Sequence, residues 1–351
     1  MPRFLTVSES LVVPNVDYWP GPDSFDQAFG PFDPWISSTN YPDEYFRSIL
    51  PIPCHSHNDY WRRRPLWSAL CTGCISVEAD VWLLNDELYV GHAEGELEEN
   101  RTLSKMYIDP LVKLLEQRNR PTGLAAAFPS ETRSRLHGVF FQDPEQSLTL
   151  LIDFKTEGST LWPVVKRALE PLRERDWLTF WDGHSRMSRP VTVVGTGNTP
   201  FDMVIANATY RDIFFDAPLE TLSAPEDQVT QNSLDVGDGL QAAPALHNYK
   251  YNPSNSHYAS SSMTRALGPL WHYALSESQL TLMRTQIEQA RVRGLVPRYW
   301  GTPRWPVTLR DSIWELLIKE DSGVLNVDDL RAVRKGTWGT WLQPGVDVNM
   351  E

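Results

Sequence analysis

The chain has 351 residues, of which 41% are hydrophobic and 22% are charged, so it can hold one large domain or two ordinary ones around a sizeable core. Its formal net charge of −13 repels nucleic-acid backbones and argues against nucleic acid as a partner. Residues 1–20 lack the basic start and apolar run of a signal peptide, and no stretch of about 18 apolar residues predicts a transmembrane segment. We therefore expect an intracellular protein, cytoplasmic by default.

Short apolar runs alternate with segments of helical spacing along most of the chain. Residues 1–48 are rich in proline, aspartate, serine and aromatic residues, and they predict an irregular N-terminal arm. The predicted strands are 50–55, 74–84, 148–155, 190–197, 211–219, 256–263, 295–302 and 324–330, with a small extra strand at 88–92. The predicted helices are 65–70, 108–119, 160–175, 276–294 and 308–320, and long loops are expected at 121–147 and 220–254.

This alternation determines the expected fold. Continuous apolar strands separated by amphipathic helices indicate a parallel sheet that helices cover. Eight strands in one unrepeated series predict a single α/β domain, a (β/α)8 TIM-type barrel over residues 49–335, followed by a tail at 336–351. A doubly wound sheet is the alternative, but it usually carries a glycine-rich turn after its first strand, and none is present there.

The three cysteines favour packed thiols over cysteine chemistry. An odd, low count argues against a disulfide framework. Cys71 and Cys74 have the CxxC spacing, but no second pair completes a zinc site. We expect both thiols to pack where a helix ends and a strand begins.

Histidine is scarce, with eight copies, yet two lie together at the end of the first predicted strand. His55 and His57 are followed at once by Asn58, and His92 follows the small extra strand. Barrel enzymes carry their sites at the C-terminal ends of strands, and histidine transfers protons in either direction near neutral pH. Cleavage of a phosphodiester requires one group to take a proton and another to give one. We predict that His55 or His57 acts together with His92.

Carboxylates on two neighbouring strands predict a divalent cation. Glu78 and Asp80 are two residues apart, so both point to one face of an otherwise apolar strand. Burying them is costly without a positive charge, and Mg²⁺ or Ca²⁺ takes oxygen ligands. Asp153 adds a third carboxylate and Asn58 an amide oxygen, while Lys155 would supply charge to the phosphate oxygens. A buried salt bridge among Glu78, Asp80, Lys155 and an arginine is the alternative.

Three stretches resemble the opening of the catalytic barrel of phosphoinositide-specific phospholipases C. They are SHNDYW at 56–61, LWSALCTGCISVEADVWL at 66–83 and LYVGH at 88–92. The resemblance implies His57 and His92 as the catalytic pair, with Asn58, Glu78 and Asp80 as ligands of the cation.

The wider pattern also resembles glycerophosphodiester phosphodiesterases and sphingomyelinases D, in which a carboxylate precedes a lysine by two residues on the third strand, as Asp153 precedes Lys155. In the sphingomyelinase pattern an asparagine follows the histidine by three residues, which favours His55. The match of Ser-His-Asn-x-Tyr over five positions favours His57, and we prefer it.

Further stretches are similar to the fungal altered-inheritance-of-mitochondria protein six family, from about residue 50 to 332. They are LIDFKTEG, RPVTVVGTGNTPFD, YRDIFFDAPL, RYWGTPRWP and LNVDDL. The resemblances together imply a metal-dependent phosphoric diester hydrolase, or lyase, acting on a lipid-like or glycerol-type phosphodiester, and they leave a mitochondrial association open.

Two other functions remain as alternatives. His55 and His57 also have the HxH spacing of a zinc amidohydrolase-type barrel, although the fifth strand, 211–219, contains no histidine. A barrel that binds a phosphorylated ligand without turnover is the third hypothesis. The 14 tryptophans leave peripheral contact with a membrane open.

The remaining polar residues near strand ends have ordinary structural explanations. Arg62, Arg63 and Arg64 are expected to form a solvated charged run. The other candidates are Arg298 and Trp300 as pocket-lining residues, Asp216 and Asp328 as ligands of substrate hydroxyls or caps of turns, and His184, His247, His257 and His272 as structural histidines.

Overall fold

The computed structural model describes residues 47–120, 136–222, 249–270 and 274–335. The strands are β1 (Ile52–Ser56), β2 (Cys74–Leu84), β3 (Glu87–Val90), β4 (Leu148–Phe154), β5 (Phe180–Trp181), β6 (Arg186–Met187), β7 (Val191–Gly197), β8 (Ile213–Pro218), β9 (Ser256–Ser262), β10 (Val296–Trp300) and β11 (Leu325–Val327). The α-helices are α1 (Trp67–Thr72), α2 (Asp109–Arg118), α3 (Gly158–Ala168), α4 (Glu170–Arg173), α5 (Phe201–Ile205), α6 (Met263–Leu267), α7 (Glu277–Val292), α8 (Val307–Lys319) and α9 (Leu330–Lys335). Single turns of other helix types lie at Asp59–Trp61, Ser104–Ile108, Glu94–Glu96 and Leu219–Thr221.

Eight of the strands form one parallel sheet in the order β10-β9-β8-β7-β4-β2-β1-β11. The two end strands, β10 and β11, contact each other, so the sheet is a nearly closed barrel. The predicted TIM-type architecture is confirmed. β3 lies outside the series, because a tight turn with positive φ at Asn85 and Asp86 returns it antiparallel to β2, as predicted.

Alternation along the strands separates two apolar layers. On β2, Val77, Ala79 and Val81 are fully buried in the main core between the sheet and the helices. A smaller cluster, made of Leu151, Val194, Tyr258 and Val324 with Val296 against it, packs apart from that main core. Because Glu78 pairs with Leu151 in the ladder, Glu78 and its neighbours two residues away share the face of this smaller cluster.

The expectation of packed thiols is confirmed for Cys71 and wrong for Cys74. Cys74 forms a disulfide with Cys54, and Cys71 is a buried thiol. The partners lie on neighbouring parallel strands, β1 and β2, with their Cα atoms 4.7 Å apart. The 20-residue separation hides this proximity from the sequence, because it is created by strand pairing.

The long elements agree with the sequence expectations to within a few residues, whereas short ones were missed. The hairpin of β5 and β6 has two residues per strand, which is too short for a periodic signal. The predicted helix at 160–175 is divided into α3 and α4. No described helix has the length and apolar character needed to cross a bilayer.

Some expectations fall outside the described residues. The arm at 1–48 is described only from residue 47, and the tail at 336–351 is not described at all. Of the predicted loop at 121–147, residues 136–147 are described and contain no helix or strand. Residues 223–248 of the other predicted loop lie outside the description.

Candidate active site

A single cleft at the C-terminal ends of the strands collects most of the predicted site residues. Its volume is about 360 Å³, which falls in the usual range for small-ligand pockets. It is lined by His57, Asn58, Trp61, Glu78, Asp80, His92, Asp153, Lys155, Thr196, Gly197, Arg298, Trp300, Gly301 and Arg304.

The register of the parallel sheet brings three carboxylates together. Asp80 on β2 pairs with Asp153 on β4, and Asp153 pairs in turn with Thr196 on β7. Glu78 lies one layer lower on the same face of β2. One oxygen from each of Glu78, Asp80 and Asp153 lies within 4.8 Å of the others, so the three side chains converge on one point as predicted.

Lys155 is the positive charge closest to this carboxylate cluster (Glu78, Asp80 and Asp153). Its Nζ lies 2.9 Å from Asp80 Oδ2 and 2.6 Å from Asp153 Oδ2. Burial lowers the pKa of Lys155, but Asp80 and Asp153 outweigh burial and the net shift is upward. Burial and the charge of Asp80 raise the pKa of Asp153 to about 6. One ammonium therefore does not fully compensate the crowded carboxylates.

One oxygen of Asp80 has no partner among the described residues and could hold a cation. Oδ1 is buried and has no hydrogen-bond partner among the described residues, whereas Oδ2 is contacted by Tyr60 and Lys155. A buried carboxylate oxygen without a partner is costly. The donor set of three carboxylates, with the amide of Asn58 beside it in the cleft, suits a hard divalent ion such as Mg²⁺ or Ca²⁺.

His57 lies at the edge of the cleft, and a hydrogen bond with Asp328 holds its ring. Its Nδ1 is 2.7 Å from Asp328 Oδ1, at the end of β11, and its Nε2 is 3.9 Å from Glu78 Oε2. Burial lowers the pKa of His57, but Asp328 and Glu78 outweigh burial, so the pKa is raised. Arg304 holds the outer face of Asp328, with Nε 2.9 Å from Oδ2. His57 is thus an oriented imidazole with Nε2 toward the cleft.

His55 is placed differently. It is fully buried within β1, with Nδ1 2.7 Å from Ser76 Oγ and Nε2 3.3 Å from Glu78 Oε2. Burial, followed by the charge of Arg298, lowers its pKa to about 4. Both ring nitrogens of His55 are engaged below the cleft, which leaves it as a support for Glu78.

His92 lies on the other side of the carboxylate cluster and is the more exposed histidine, with 40% of its side chain accessible. Its Nδ1 is 3.4 Å from Asp80 Oδ2 and 3.2 Å from the hydroxyl of Tyr60. Its ring packs at 5.0 Å from that of Trp61. The hydrogen bond with Asp80 is the largest influence on its pKa, which is raised.

Asn58 joins the first strand to the cluster through its backbone. It adopts a left-handed conformation, φ 47° and ψ 46°, which asparagine tolerates better than most residues. This turn directs its N–H to Glu78 Oε2 at 3.0 Å, and its side-chain amide lies 2.7 Å from the hydroxyl oxygen of Tyr60. Asn58 therefore fixes the orientation of Glu78.

A buried arginine closes the cleft from below. Arg298 on β10 donates to Ser260 Oγ and Asn326 Oδ1, each at 2.9 Å, and its terminal nitrogen is 3.5 Å from Asp216 Oδ2. Arg298 and Trp300 both line the cleft, as predicted. Asp216 is therefore the counter-ion of Arg298.

Other sequence expectations are revised here. Arg62 donates to the carbonyl oxygens of His57, Val327 and Asp328, so it joins the ends of β1 and β11 and is not part of a solvated run. His257 is half-buried beside Arg186 and does not line the cleft, and His184 lies in a turn. His247 and His272 lie outside the described residues.

Sequence reasoning missed two contributors. Asp328 was considered a ligand of hydroxyls or a cap, but it binds His57 across 271 residues of chain. Tyr60, in the SHNDYW stretch, was not considered, although its hydroxyl contacts three site residues. The closure of a barrel places its last strand, β11, beside β1, and this rule could have indicated Asp328. The position of Tyr60 within the SHNDYW stretch could have indicated Tyr60.

Residues 43–216 match the model of the AIM6-like phosphodiesterase domain. The altered inheritance of mitochondria protein 6 homolog of Arthroderma benhamiae is 38% identical over 304 residues, covering 84% of this chain and 86% of the relative. The protein of the same name in Eremothecium gossypii is 37% identical, with 80% and 68% covered, and that of Saccharomyces cerevisiae S288c is 30% identical, with 81% and 70% covered. The structure of the phosphatidylinositol-specific phospholipase C from Listeria monocytogenes matches at 11% identity and a TM-score of 0.38 over 85% of this chain and 96% of that one, which carries no argument about function.

Proposed function

Because this chain belongs to the altered inheritance of mitochondria protein 6 family, we propose that it is a phosphoric diester hydrolase, or a lyase that forms a cyclic phosphate. One observation carries the proposal. His57 and His92 line the same cleft and contact two different members of one carboxylate cluster, Glu78 and Asp80 respectively. General acid–base cleavage of a phosphodiester uses two proton-transfer groups around one site for the phosphate, and this pair of histidines matches that arrangement.

His57 is the proposed general base. Asp328 holds Nδ1, so Nε2 is the nitrogen left to take a proton from the attacking hydroxyl. The carboxylate of Asp328 stabilises the imidazolium that then forms, as the acidic partner does in other acid/base dyads. The buried environment of His55 supports the choice of His57.

His92 is the proposed general acid. Its Nδ1 faces Asp80 and Tyr60, which leaves Nε2 to give a proton to the leaving oxygen. The new bond joins the nucleophile oxygen to phosphorus, and the bond from phosphorus to the leaving oxygen breaks. The nucleophile is water or a neighbouring hydroxyl of the substrate, since the same pair of histidines serves either; ³¹P NMR of the first product distinguishes a monoester from a cyclic phosphate.

We propose that Glu78, Asp80 and Asp153, with Asn58, hold one Mg²⁺ or Ca²⁺ ion. The unpartnered Oδ1 of Asp80 and the convergence of the carboxylates support this assignment. When bound, a divalent ion neutralises the non-bridging oxygens of the phosphate and lowers the pKa of the attacking hydroxyl. Lys155 keeps Asp80 and Asp153 together and adds positive charge where the phosphate oxygens gain negative charge. Asp80 and Asp153 thus take part both in the ion pairs with Lys155 and in the proposed cation site.

A lipid-like or glycerol-type diester is the proposed substrate class. The segment from β10 to α8 lines the cleft with Trp300 and Arg304, and it continues into Trp305, which is 78% exposed, and Val307, which is 50% exposed. Indole side chains suit the boundary between water and lipid. This arrangement supports peripheral contact with a membrane that presents the substrate to the cleft.

The two alternative functions receive less support. A zinc amidohydrolase-type site uses both histidines of the HxH pair as ligands, but His55 is committed to Ser76 and Glu78. On β8 the polar side chain near the cleft is Asp216 and not a histidine, and it is paired with Arg298. A barrel that binds a phosphorylated ligand without turnover fits less well, because both proton-transfer groups are present.

Purified protein tested with a panel of phosphodiesters, in Mg²⁺ or Ca²⁺, provides the decisive experiment. The panel contains glycerophosphodiesters, phosphatidylinositol, sphingomyelin and lysophosphatidylcholine. We expect release of product by the wild type and a loss of about 10²-fold or more in kcat for Glu78→Gln. Glu116→Gln is the matched control, because Glu116 is exposed and contacts Arg175 far from the cleft. No product from any diester, or equal activity of Glu78→Gln and wild type, contradicts the proposal.

A further inference from the structure

Tyr60 is fully buried, yet its hydroxyl lies among polar site residues. The oxygen is 2.7 Å from Asn58 Oδ1, 2.7 Å from Asp80 Oδ2 and 3.2 Å from His92 Nδ1. It thereby touches a proposed cation ligand on one side and the proposed general acid on the other. A phenol has an ordinary pKa of about 10, so the hydroxyl of Tyr60 carries its proton near neutral pH.

The single proton of this hydroxyl determines how the contacts are arranged. A phenol donates one hydrogen bond, and the ionised carboxylate of Asp80 is a stronger acceptor than the amide of Asn58. When the proton goes to Asp80, the phenol oxygen accepts from His92 Nδ1–H and from the side-chain amide of Asn58, which then turns its NH2 group toward the phenol. The phenol oxygen and Asp80 Oδ2, 3.4 Å from Nδ1, together keep a proton on Nδ1 of His92, so Nε2 is the nitrogen that exchanges a proton with the substrate.

The two oxygens of Asp80 have separate surroundings. Oδ2 is surrounded by Tyr60 at 2.7 Å, Lys155 at 2.9 Å and His92 at 3.4 Å, whereas Oδ1 has no hydrogen-bond partner in the described part of the chain. The hydrogen bond from Tyr60 to Oδ2 therefore fixes the rotation of the carboxylate and leaves Oδ1 for a cation. Groups that orient a ligand in this way typically alter metal affinity by about 10- to 100-fold.

We infer that Tyr60 is a positioning residue that couples the carboxylate cluster to His92. It orients Asp80 for the divalent ion and His92 for proton transfer through one hydroxyl group. The inference rests on the proposed function, since it assigns Tyr60 a part in that same site.

Tyr60→Phe tests the inference, because it removes the hydroxyl and keeps the ring. Calorimetric titration with Mg²⁺ or Ca²⁺ is expected to show a cation affinity weakened by about 10-fold or more. With the diester of the panel that the wild type cleaves fastest, kcat is expected to fall by about 10- to 100-fold while KM stays nearly unchanged. Tyr299→Phe is the matched control. Tyr299 is equally buried, and its hydroxyl donates to Gln286 Oε1 at 2.8 Å, outside the cleft. The control is expected to lose thermal stability similarly and to keep wild-type cation affinity and kcat.

A second measurement on the wild type does not depend on how the variant folds. In ¹H–¹⁵N NMR spectra of the histidine side chains, assigned with His92→Gln, the neutral ring of His92 is expected to carry its proton on Nδ1. The opposite tautomer overturns the inference, as does a folded Tyr60→Phe protein that matches Tyr299→Phe in cation affinity and kcat. Wild-type protein that neither binds a cation nor cleaves a diester overturns the proposed function instead, so the two failures are distinguishable.

Discussion

At the scale of single residues, two histidines two positions apart lie in different surroundings. His57 borders the cleft and is hydrogen-bonded to Asp328. His55 is fully buried below the cleft and contacts Ser76 and Glu78. The side chains diverge because His55 still belongs to β1, and the chain has left the strand at His57. The catalytic assignment therefore depends on where the strand ends.

Substitution of each histidine separates their proposed roles. We expect His57→Gln to lower kcat by about 10²-fold or more while the melting temperature stays near that of the wild type. We expect His55→Gln mainly to destabilise the protein, because a buried ring with two partners is replaced. Steady-state kinetics and thermal unfolding of both variants provide the measurements. A fully active His57→Gln protein would contradict the assignment of the base.

Gly197 protects the position of Asp153. It has φ +63°, and a Cβ atom there would lie 2.0 Å from Asp153 Oδ1. Gly197→Ala must therefore displace the carboxylate, in addition to a left-handed backbone cost of about 1–2 kcal/mol.

We expect Gly197→Ala to weaken cation binding by about 10-fold or more in a calorimetric titration. Gly95→Ala is the matched control, because nothing lies within 4 Å of a Cβ atom at Gly95. Equal affinities of the two variants would show that Asp153 is not a ligand.

At the scale of elements, the disulfide joins β1, which His57 follows directly, to β2, which carries Glu78 and Asp80. We expect the double variant Cys54→Ala/Cys74→Ala to lose about 2–4 kcal/mol of unfolding free energy in denaturant titrations. The unfolding free energy of the wild type in a strong reductant is expected to approach that of the double variant. Thiol titration of the denatured, unreduced wild type should find one thiol of the three cysteines; three thiols would contradict the pairing.

The segment between β10 and α8 carries the element-scale prediction for membranes. We expect Trp305→Ala to reduce sedimentation with phosphatidylcholine vesicles several-fold and to leave cleavage of a water-soluble diester unchanged, because its exposed indole lies beyond the cleft lining.

Leu282→Ala is the control for Trp305→Ala, since Leu282 is 42% exposed on α7. Vesicle binding that is equally affected in both variants, or absent in the wild type, would remove membrane contact from the account.

Sequence patterns were most informative for the long elements. β2 has the predicted bounds, because its apolar run is delimited by Gly73, with φ +97°, and by the turn at Asn85 and Asp86. The pairing of β1 with β2 and β11 could not be predicted from the sequence, since it depends on contacts between distant segments. The disulfide and the hydrogen bond between Asp328 and His57 depend on that pairing, so neither could be predicted from the sequence.

At the scale of the whole molecule, the nearly closed parallel barrel brings charges from many strands to one end. Asp80 and Asp153 meet because their strands are adjacent and in register, and Asp328 reaches His57 because the eighth parallel strand, β11, lies beside the first. The net charge of −13 is unfavourable for an anionic substrate at long range. In the proposed function, the cation, together with Lys155, Arg298 and Arg304 in the cleft, would therefore have to supply the positive charge that attracts the phosphate.

The central claim is that one divalent ion binds between His57 and His92. Anomalous diffraction from a crystal soaked in Mn²⁺, as a substitute for Mg²⁺, tests it most directly. We predict one strong peak within about 2.6 Å of oxygens from Glu78, Asp80 and Asp153. No peak at saturating Mn²⁺, or a peak away from these three side chains, would contradict the account.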